Sequence, residues 1–188
     1  ITEAFPIEGS EIVSETEFDD LMPIELFVAE NKLLVFGRAS WKYEEKENAS
    51  KEREMGYYPY YSNSVVARLY DISDRASPEL EKELEFEGSY QTSRLIGKEG
   101  YLVVNSWPHF TPCLTEEVEC IIPLMRENGE EKRVATATEI GYLPPMPAQN
   151  FVTIVSLNLK TGKMEEETIA GNAQNVFASQ GNIYLAAT

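Results

Sequence analysis

Apolar positions along this chain fall into short runs that are separated by small or polar turns. Three segments repeat one pattern, in which a short apolar run, two to four polar or small residues and a second apolar run follow one another. They are LFVAENKLLVF (Leu26–Phe36), RLIGKEGYLVV (Arg94–Val104) and VFASQGNIYLA (Val176–Ala186), and they align without gaps at offsets of 68 and 82 residues. Runs of this length around such turns predict tight β-hairpins.

A longer pattern precedes or follows these hairpins and also occurs twice. VVARLYDISDRASPELEKELEFEG (Val65–Gly88) and FVTIVSLNLKTGKMEEETIAG (Phe151–Gly171) each begin with a β-branched, apolar strand. A polar turn rich in Asp, Asn, Ser, Thr, Pro and Gly follows, because these residues favour turn conformations. An acidic, half-polar strand then ends at a glycine. Its charges predict an exposed outer strand, since edge strands carry charge that blocks unwanted pairing.

The acidic part of the first copy has an alternative helical interpretation. Ser77 is a possible cap, Pro78 a possible first helical residue, and Leu80 and Leu84 are four residues apart. The second copy, KMEEETIAG, lacks this capping pattern and contains two β-branched residues. The parallel between the copies therefore favours a strand.

Hairpin, strand, turn and strand together form a unit of four antiparallel strands, which is typical of a β-propeller blade. The predicted fold class is all-β, with about two and a half such repeats in residues 23–188, after an acidic segment at 1–22. The repeats exceed the usual blade length of about 40 to 50 residues because of two insertions, at about 39–64 and 106–150. Insertions at one register of a repeat map to loops on one face, often the binding face.

The acidic segment at 1–22 differs from the rest of the chain. Its first 20 residues contain seven acidic side chains and neither Lys nor Arg. EIVSETEFDD is expected either to supply an outer strand to the first hairpin or to form a loose arm.

The residues resemble those of secreted bacterial and archaeal proteins with a C-terminal β-propeller domain. The resemblance lies in YDISDRASPELEKELEFEGSYQTSRLIG followed by YLVVN, in TIVSLNLKTGKMEEETIAG followed by NVFASQGNIYLA, and in the cysteine before Ile-Ile-Pro at 120–123. It covers Ile24 to Thr188 and implies a propeller fold and an extracellular or cell-envelope location. It implies no reaction, cofactor or catalytic residue. Two and a half repeats predict a fragment of a larger propeller, or a piece that self-associates through open blade edges.

Charge narrows the range of partners. The formal net charge of -16 repels phosphates and anionic lipid surfaces, so neither nucleic acid nor a membrane surface is expected to bind. No run approaches the roughly 20 apolar residues that a membrane helix needs, so no membrane insertion within the chain is expected. The hydrophobic fraction of 43% is sufficient for a core.

The two cysteines, Cys113 and Cys120, lie in PCLTEEVEC. With a single histidine in the chain, His109, a zinc site of four Cys and His ligands cannot form. The even count and the extracytoplasmic context favour a local disulfide, with two buried thiols as the alternative.

Aromatic side chains concentrate in the two insertions and are the candidate ligand-binding residues. Flat rings with polar tips suit a carbohydrate or peptide, although they also serve to anchor a charged loop to its own domain. The candidates are Trp41, Tyr43, Tyr57, Tyr58, Tyr60, Tyr61, Trp107, His109 and Phe110. His109 has no evident base or orienting partner, which favours a structural role.

No nucleotide-binding, hydrolase or metalloprotease motif is present, and Asp71–Asp74 lacks the glycine and glutamate of a calcium loop, which indicates a turn. No catalytic residue, metal or cofactor is therefore assigned. The favoured hypothesis is a binding module that contacts an unknown protein or glycan through the insertion loops. The alternatives are a hydrolase or lyase that acts on extracellular polymers, and a structural spacer.

Overall fold

The computed structural model describes residues 1–3, 7–41, 62–108, 118–142, 148–171, 175–179 and 182–186. Regular structure in these ranges is β-strand, apart from two single turns of 3-10 helix at Ile7–Gly9 and Val118–Ile121. The all-β prediction is therefore confirmed.

The first blade contains four consecutive antiparallel strands. It follows a small separate sheet of β1 (Thr2–Glu3) and β2 (Glu11–Ile12), and its strands are β3 (Met22–Ala29), β4 (Lys32–Trp41), β5 (Ser62–Asp71) and β6 (Glu79–Glu87). The acidic run is strand β6, paired along its length with β5, so the helical alternative is wrong.

The second blade repeats this order and is followed by half of a third. Its inner hairpin is β7 (Ser89–Ile96) and β8 (Glu99–Ser106). The second insertion then forms β9 (Leu124–Glu127), β10 (Glu130–Arg133) and β11 (Gly141–Tyr142), after which β12 (Phe151–Asn158) and β13 (Met164–Ala170) complete the blade. The last hairpin is β14 (Asn175–Ala178) and β15 (Ile183–Ala186). The three predicted hairpins and both predicted outer strand pairs are confirmed.

The chain passes from the first blade to the second at Gly88. Its φ of 131° lies in a region that residues with a side chain rarely adopt. A Cβ at this position would lie 2.5 Å from the carbonyl oxygen of Asn105, and the Gly88 N–H donates to the Asn63 carbonyl at 2.8 Å. Glycine is therefore required where the outer strand of one blade leads into the inner strand of the next.

The structural offset between the hairpins differs by one residue from the gapless sequence alignment. Ala29 pairs with Lys32 across the first turn, and Ile96 pairs with Glu99 across the second, which gives an offset of 67 rather than 68. The third turn closes between Ser179 and Asn182, an offset of 83 rather than 82. A shift of one residue moves every strand side chain to the opposite face, so the correction decides which residues are equivalent.

The blades stack face to face around one main core. We call the side of a blade turned toward the following blade its front face, and the other side its back face. The front face of blade 1 contributes the buried residues Leu34, Phe36, Val65, Ala67, Leu69, Leu84 and Phe86, and the back face of blade 2 contributes Leu102, Val104, Val155 and Leu157. The third hairpin packs in the same way, with Val176 and Leu185 against Val103 and Val152.

The described part of the second insertion is a strap across the outer edges of both blades, and not a loop as the repeat predicts. We call residues 118–142 the strap. Its strand β9 pairs antiparallel with Leu84–Phe86 of blade 1, and β11 pairs parallel with Ile169–Ala170 of blade 2. Ile122, Met125 and Val134 of the strap are buried in the main core.

Charged residues on β6 pair with the strap, so the prediction that β6 is an exposed edge strand is wrong. Lys82 Nζ lies 2.5 Å from Glu127 Oε1, and Arg126 Nη1 lies 3.0 Å from Glu85 Oε2. The hydrogen bond from Lys82 lowers the pKa of the Glu127 carboxyl and outweighs burial, which by itself would raise it. The charges therefore match a specific neighbouring strand.

The acidic N-terminal segment lies on the back face of blade 1. Phe18 packs against the buried cluster of Val35, Tyr70 and Ile72, and the carboxylate of Asp20 pairs with the guanidinium of Arg68. Its strands β1 and β2 pair with each other and not with the first hairpin, so the expected outer strand is not formed by this segment.

Candidate ligand-binding face

Both insertions leave their blades at the same end of the sheets. Trp41 pairs with Ser62 where β4 and β5 diverge, and Ser106 pairs with Phe151 where β8 and β12 diverge. The hydroxyl of Ser106 donates to the Glu87 carbonyl at 2.6 Å, which joins the end of β8 to the end of β6 across the blade boundary. We call this end the insertion face. The repeat predicts that both insertions begin on one face, as they do here.

At the opposite end, the connections between blade strands that the structure describes are short turns. The Asp71 carboxylate accepts from the Ser73 N–H at 2.7 Å, and the Asp74 carboxylate accepts from the Ala76 N–H at 2.9 Å. A side-chain oxygen that accepts from the backbone N–H two residues later defines an Asx turn. The interpretation of this stretch as turn chemistry is therefore confirmed.

Trp41 is fully buried at the insertion face and is covered by the strap. The guanidinium carbon of Arg126 lies 4.0 Å from the centroid of its ring. A ligand would reach this ring only after the Arg126 side chain moved, so the structure places Trp41 as an anchor beneath the face.

Two carboxylates hold the Arg126 guanidinium over the ring. Its Nη1 donates to Glu85 at 3.0 Å and its Nη2 donates to Glu131 at 2.8 Å. Burial by itself would lower the pKa of Arg126, but the two carboxylates together outweigh it and raise the pKa. The group is therefore a permanent cation with a fixed orientation.

Trp107 and Tyr142 are the exposed aromatic residues at the insertion face within the described ranges. Trp107 directly follows β8 and is 60% exposed, and Tyr142 ends β11 and is 54% exposed. Tyr142 pairs with Ala170, Ala170 with Phe151, and Phe151 with Ser106. Three strand steps of about 4.8 Å, or about 14 Å, therefore separate Tyr142 from Ser106, the residue before Trp107.

Glu87 forms hydrogen bonds with both the end of β8 and the strap. It is buried, and its carboxylate accepts from the Leu124 N–H at 3.1 Å. The first residue of β9 and the end of β8 are thus both bonded to Glu87, which fixes the strap against the start of the insertion.

The other aromatic candidates lie outside the described residues. They are Tyr43, Tyr57, Tyr58, Tyr60, Tyr61, His109 and Phe110, and their assignment stays a prediction. Cys120 lies in the 3-10 turn of the strap, but Cys113 lies outside the described residues, so the disulfide stays a prediction as well.

A polar cluster joins the inner strands of the two blades and was not identified from the sequence. The Glu25 carboxylate accepts from the Tyr90 hydroxyl at 2.8 Å and from the buried Ser93 hydroxyl at 2.7 Å. Burial, with Glu25 as a further cause, raises the pKa of the Tyr90 phenol. The cluster is partly buried between β3 and β7 and joins the two blades.

A groove of about 690 Å³ lies away from the insertion face, between the front face of blade 2 and the third hairpin. Ser156 and Glu167 line it, at the positions that Leu69 and Leu84 occupy in the main core of blade 1. The front face of blade 2 is therefore more polar than that of blade 1.

Within the described ranges, no group of three or more His, Cys, Asp or Glu side chains is placed to share a metal ion. No helix in the same ranges is both long and apolar enough to span a membrane.

Comparison with known proteins places this fold. A family model described as a β-propeller domain matches residues 1–188, and the chain belongs to that family. The match includes the acidic N-terminal segment, which the sequence resemblance leaves out.

Two relatives are known only as uncharacterized proteins. One, from Archaeoglobus fulgidus, is 30% identical over 104 residues, which covers 54% of this chain and 16% of the relative. The other, from Methanocaldococcus jannaschii, is 28% identical over 147 residues, which covers 71% of this chain and 21% of the relative. The chain thus spans about a fifth or less of the length of these relatives. No solved structure matches it.

Proposed function

We propose that this propeller portion is an extracytoplasmic binding module that contacts a ligand or partner protein through its insertion face. The observation that carries the proposal is the pair of exposed aromatic residues at that face, Tyr142 on a backbone row that ends at Ser106, and Trp107, which directly follows Ser106. Tryptophan and tyrosine provide large apolar area at low conformational cost and are enriched at binding hot spots. Because the backbone positions of Tyr142 and Ser106 are about 14 Å apart, an extended ligand suits this face.

The contacts that hold the backbone of the insertion face in place also support this face as the binding site. Glu87, the strap and the stacked pair of Arg126 and Trp41 hold the backbone beneath it. Binding positions on a rigid scaffold require little ordering when the ligand binds.

A glycan and peptide array tests the proposal. We expect wild-type protein to bind members of one class, and Trp107→Ala or Tyr142→Ala to weaken that binding about tenfold or more, or about 1.4 kcal/mol. The matched control is Tyr184→Ala, because Tyr184 is as exposed as Tyr142 but lies in the third hairpin. An absence of binding to every surface ligand would contradict the proposal.

A hydrolysis screen on extracellular polymers separates binding from the alternative of a hydrolase or lyase. A binding module releases no product, and measurable turnover would replace the proposal by that alternative.

The location is tested separately through the cysteines. We propose that Cys113 and Cys120 form a disulfide, as an oxidising compartment favours. Thiol labelling of the denatured, unreduced protein is expected to give no signal, and labelling of both cysteines would remove this support for an extracytoplasmic location.

A further inference from the structure

The two ends of the blade stack expose residues whose equivalents are covered in the contact between blades 1 and 2. On the back face of blade 1, Leu26 and Val28 are 62% and 55% exposed. At the offset of 67, their equivalents in blade 2 are Ser93, which is buried, and Leu95, which packs against the main core. The position is therefore covered wherever a blade precedes it.

The front face of the third hairpin shows the complementary pattern. Phe177 and Tyr184 pair across β14 and β15, and they are 67% and 54% exposed. At the offset of 83 and then 67, their equivalents in blade 1 are Phe27, which packs against the main core, and Leu34, which is fully buried. These two positions are covered in blade 1, which a complete blade follows, whereas in blade 2, which only the third hairpin follows, they are the exposed Arg94 and the half-buried Tyr101.

We propose that the Phe177 and Tyr184 face of one copy of this chain packs on the Leu26 and Val28 face of a second copy, head to tail. The template is the contact between blades 1 and 2, in which the same front positions of one hairpin meet the same back positions of the next. Both exposed faces are therefore continuous with an interface that the molecule already forms.

The proposed contact is confined to the inner hairpins because the outer-strand parts of the two end faces are not available for it. Phe18 and Asp20 of the N-terminal segment occupy the outer half of the back face of blade 1. The third hairpin has no outer strands within the described ranges. The exposed inner hairpin of one copy thus meets the exposed inner hairpin of the other.

This contact joins two different surfaces, so it is heterologous and has a distinctive signature. A heterologous contact builds rings or open chains of copies, whereas a self-complementary surface builds closed dimers. Each copy carries a formal charge of -16, so the copies repel each other at low ionic strength. Association is expected to strengthen as salt screens this repulsion.

Sedimentation of the 188-residue chain over a range of concentrations tests the proposal. We expect wild-type protein to form dimers and larger species, and Leu26→Lys and Phe177→Asp each to raise the dissociation constant at least tenfold. Both residues are largely exposed, so the folded state is retained, which circular dichroism checks. The matched control, Trp107→Ser, removes an exposed aromatic residue from the insertion face and is expected to leave association unchanged.

Mixing the two variants gives the decisive result. The Leu26→Lys variant retains a working front face and the Phe177→Asp variant a working back face, so the mixture is expected to form dimers and nothing larger. A monomeric wild-type chain would overturn the proposal and would leave the faces for another occupant, such as a further blade of a longer polypeptide. Association that survives in both variants, or a mixture that stays monomeric, would overturn it too.

Discussion

The guanidinium carbon of Arg126 lies 4.0 Å from the ring centroid of Trp41, so a residue of the strap covers the residue at which the first insertion begins. The contact connects the two insertions through described residues. It explains why Trp41, which the sequence places at the start of a loop, lies in the interior.

Replacing Arg126 by methionine is expected to destabilise the fold by about 2–3 kcal/mol. The change removes the charge that faces Glu85 and Glu131 and the stacking on Trp41, and breaking a largely buried ion pair is costly. Urea unfolding followed by tryptophan fluorescence measures the effect. Arg38→Met is the matched control, because Arg38 is exposed and its substitution is expected to change stability by less than about 0.5 kcal/mol. Equal midpoints for the two variants would contradict the role given to Arg126.

Replacing Met125 by alanine tests whether the strap belongs to the core. Met125 is fully buried in the main core, so we expect a loss of about 2–5 kcal/mol in the free energy of unfolding. Met22→Ala makes the same chemical change at a side chain that is largely exposed, and it is expected to cost less than about 0.5 kcal/mol. If Met125→Ala behaves like this control, the strap is a peripheral loop after all.

Replacing Gly88, at the passage between the blades, by alanine is expected to destabilise the fold more than the same replacement at Gly97. Gly88→Ala forces a side chain into an unfavourable φ and against the Asn105 carbonyl, so a loss of about 3 kcal/mol or more is expected. Gly97 has a φ of 64° and no atom within 4 Å of an added Cβ, so Gly97→Ala is expected to cost about 1 kcal/mol. Thermal unfolding of both variants measures the difference, and a larger loss at Gly97 would refute the argument from close approach.

Replacing Glu166 by glutamine is expected to increase the stability of the fold in a pH-dependent way. Burial is the main cause that raises the pKa of this carboxyl, with Glu127 and Glu139 adding to it and Lys132 opposing it. The folded state therefore holds the proton more tightly than the unfolded state, and stability falls as pH rises from about 4.5 through the folded pKa. Glu166→Gln avoids this loss, so it is expected to be more stable than wild type at pH 7, by on the order of 0.5 kcal/mol.

The same comparison below about pH 4 is expected to show no difference, because Glu166 is then protonated in both states. Glu165→Gln is the control, because a hydrogen bond from Lys163 lowers the pKa of the Glu165 carboxyl. It is expected to give no gain at pH 7. A Glu166→Gln advantage that persists unchanged at low pH would point to a cause other than titration.

The succession of strands could be predicted because it depends on local signals. Turn residues at Asp71–Pro78 and Asn158–Gly162 separate the outer strands, and the passage at Gly88 follows from the repeat. The phase of the hairpins could not be predicted, because runs such as Leu33–Phe36 are apolar on both faces. Only the pairing across each turn fixes it, at an offset of 67.

The strap could not be placed from the sequence because its partners are distant along the chain. Its hairpin does carry a local signal, since Asn128 and Gly129 both have positive φ, as a tight two-residue turn requires. Nothing local indicates that β9 pairs with β6 or that β11 pairs with β13. The position of Trp107 after a predicted strand marks it as a candidate in the sequence, whereas the place of Tyr142 depends on the parallel pairing with Ala170, which the sequence does not indicate.

The strap also sets the order in which the chain can finish folding as it is made. The outer edge of β6 can pair with β9 only after residues 124–127 have been synthesised. The inner hairpin of blade 2 precedes β9 in the chain, so it has been synthesised by then. Until then the nascent first blade presents an open edge, which is the kind of surface that favours mispairing. The sequence repeats once per blade, but a nascent chain longer than one repeat is needed before every strand of the first blade has its pairing partner.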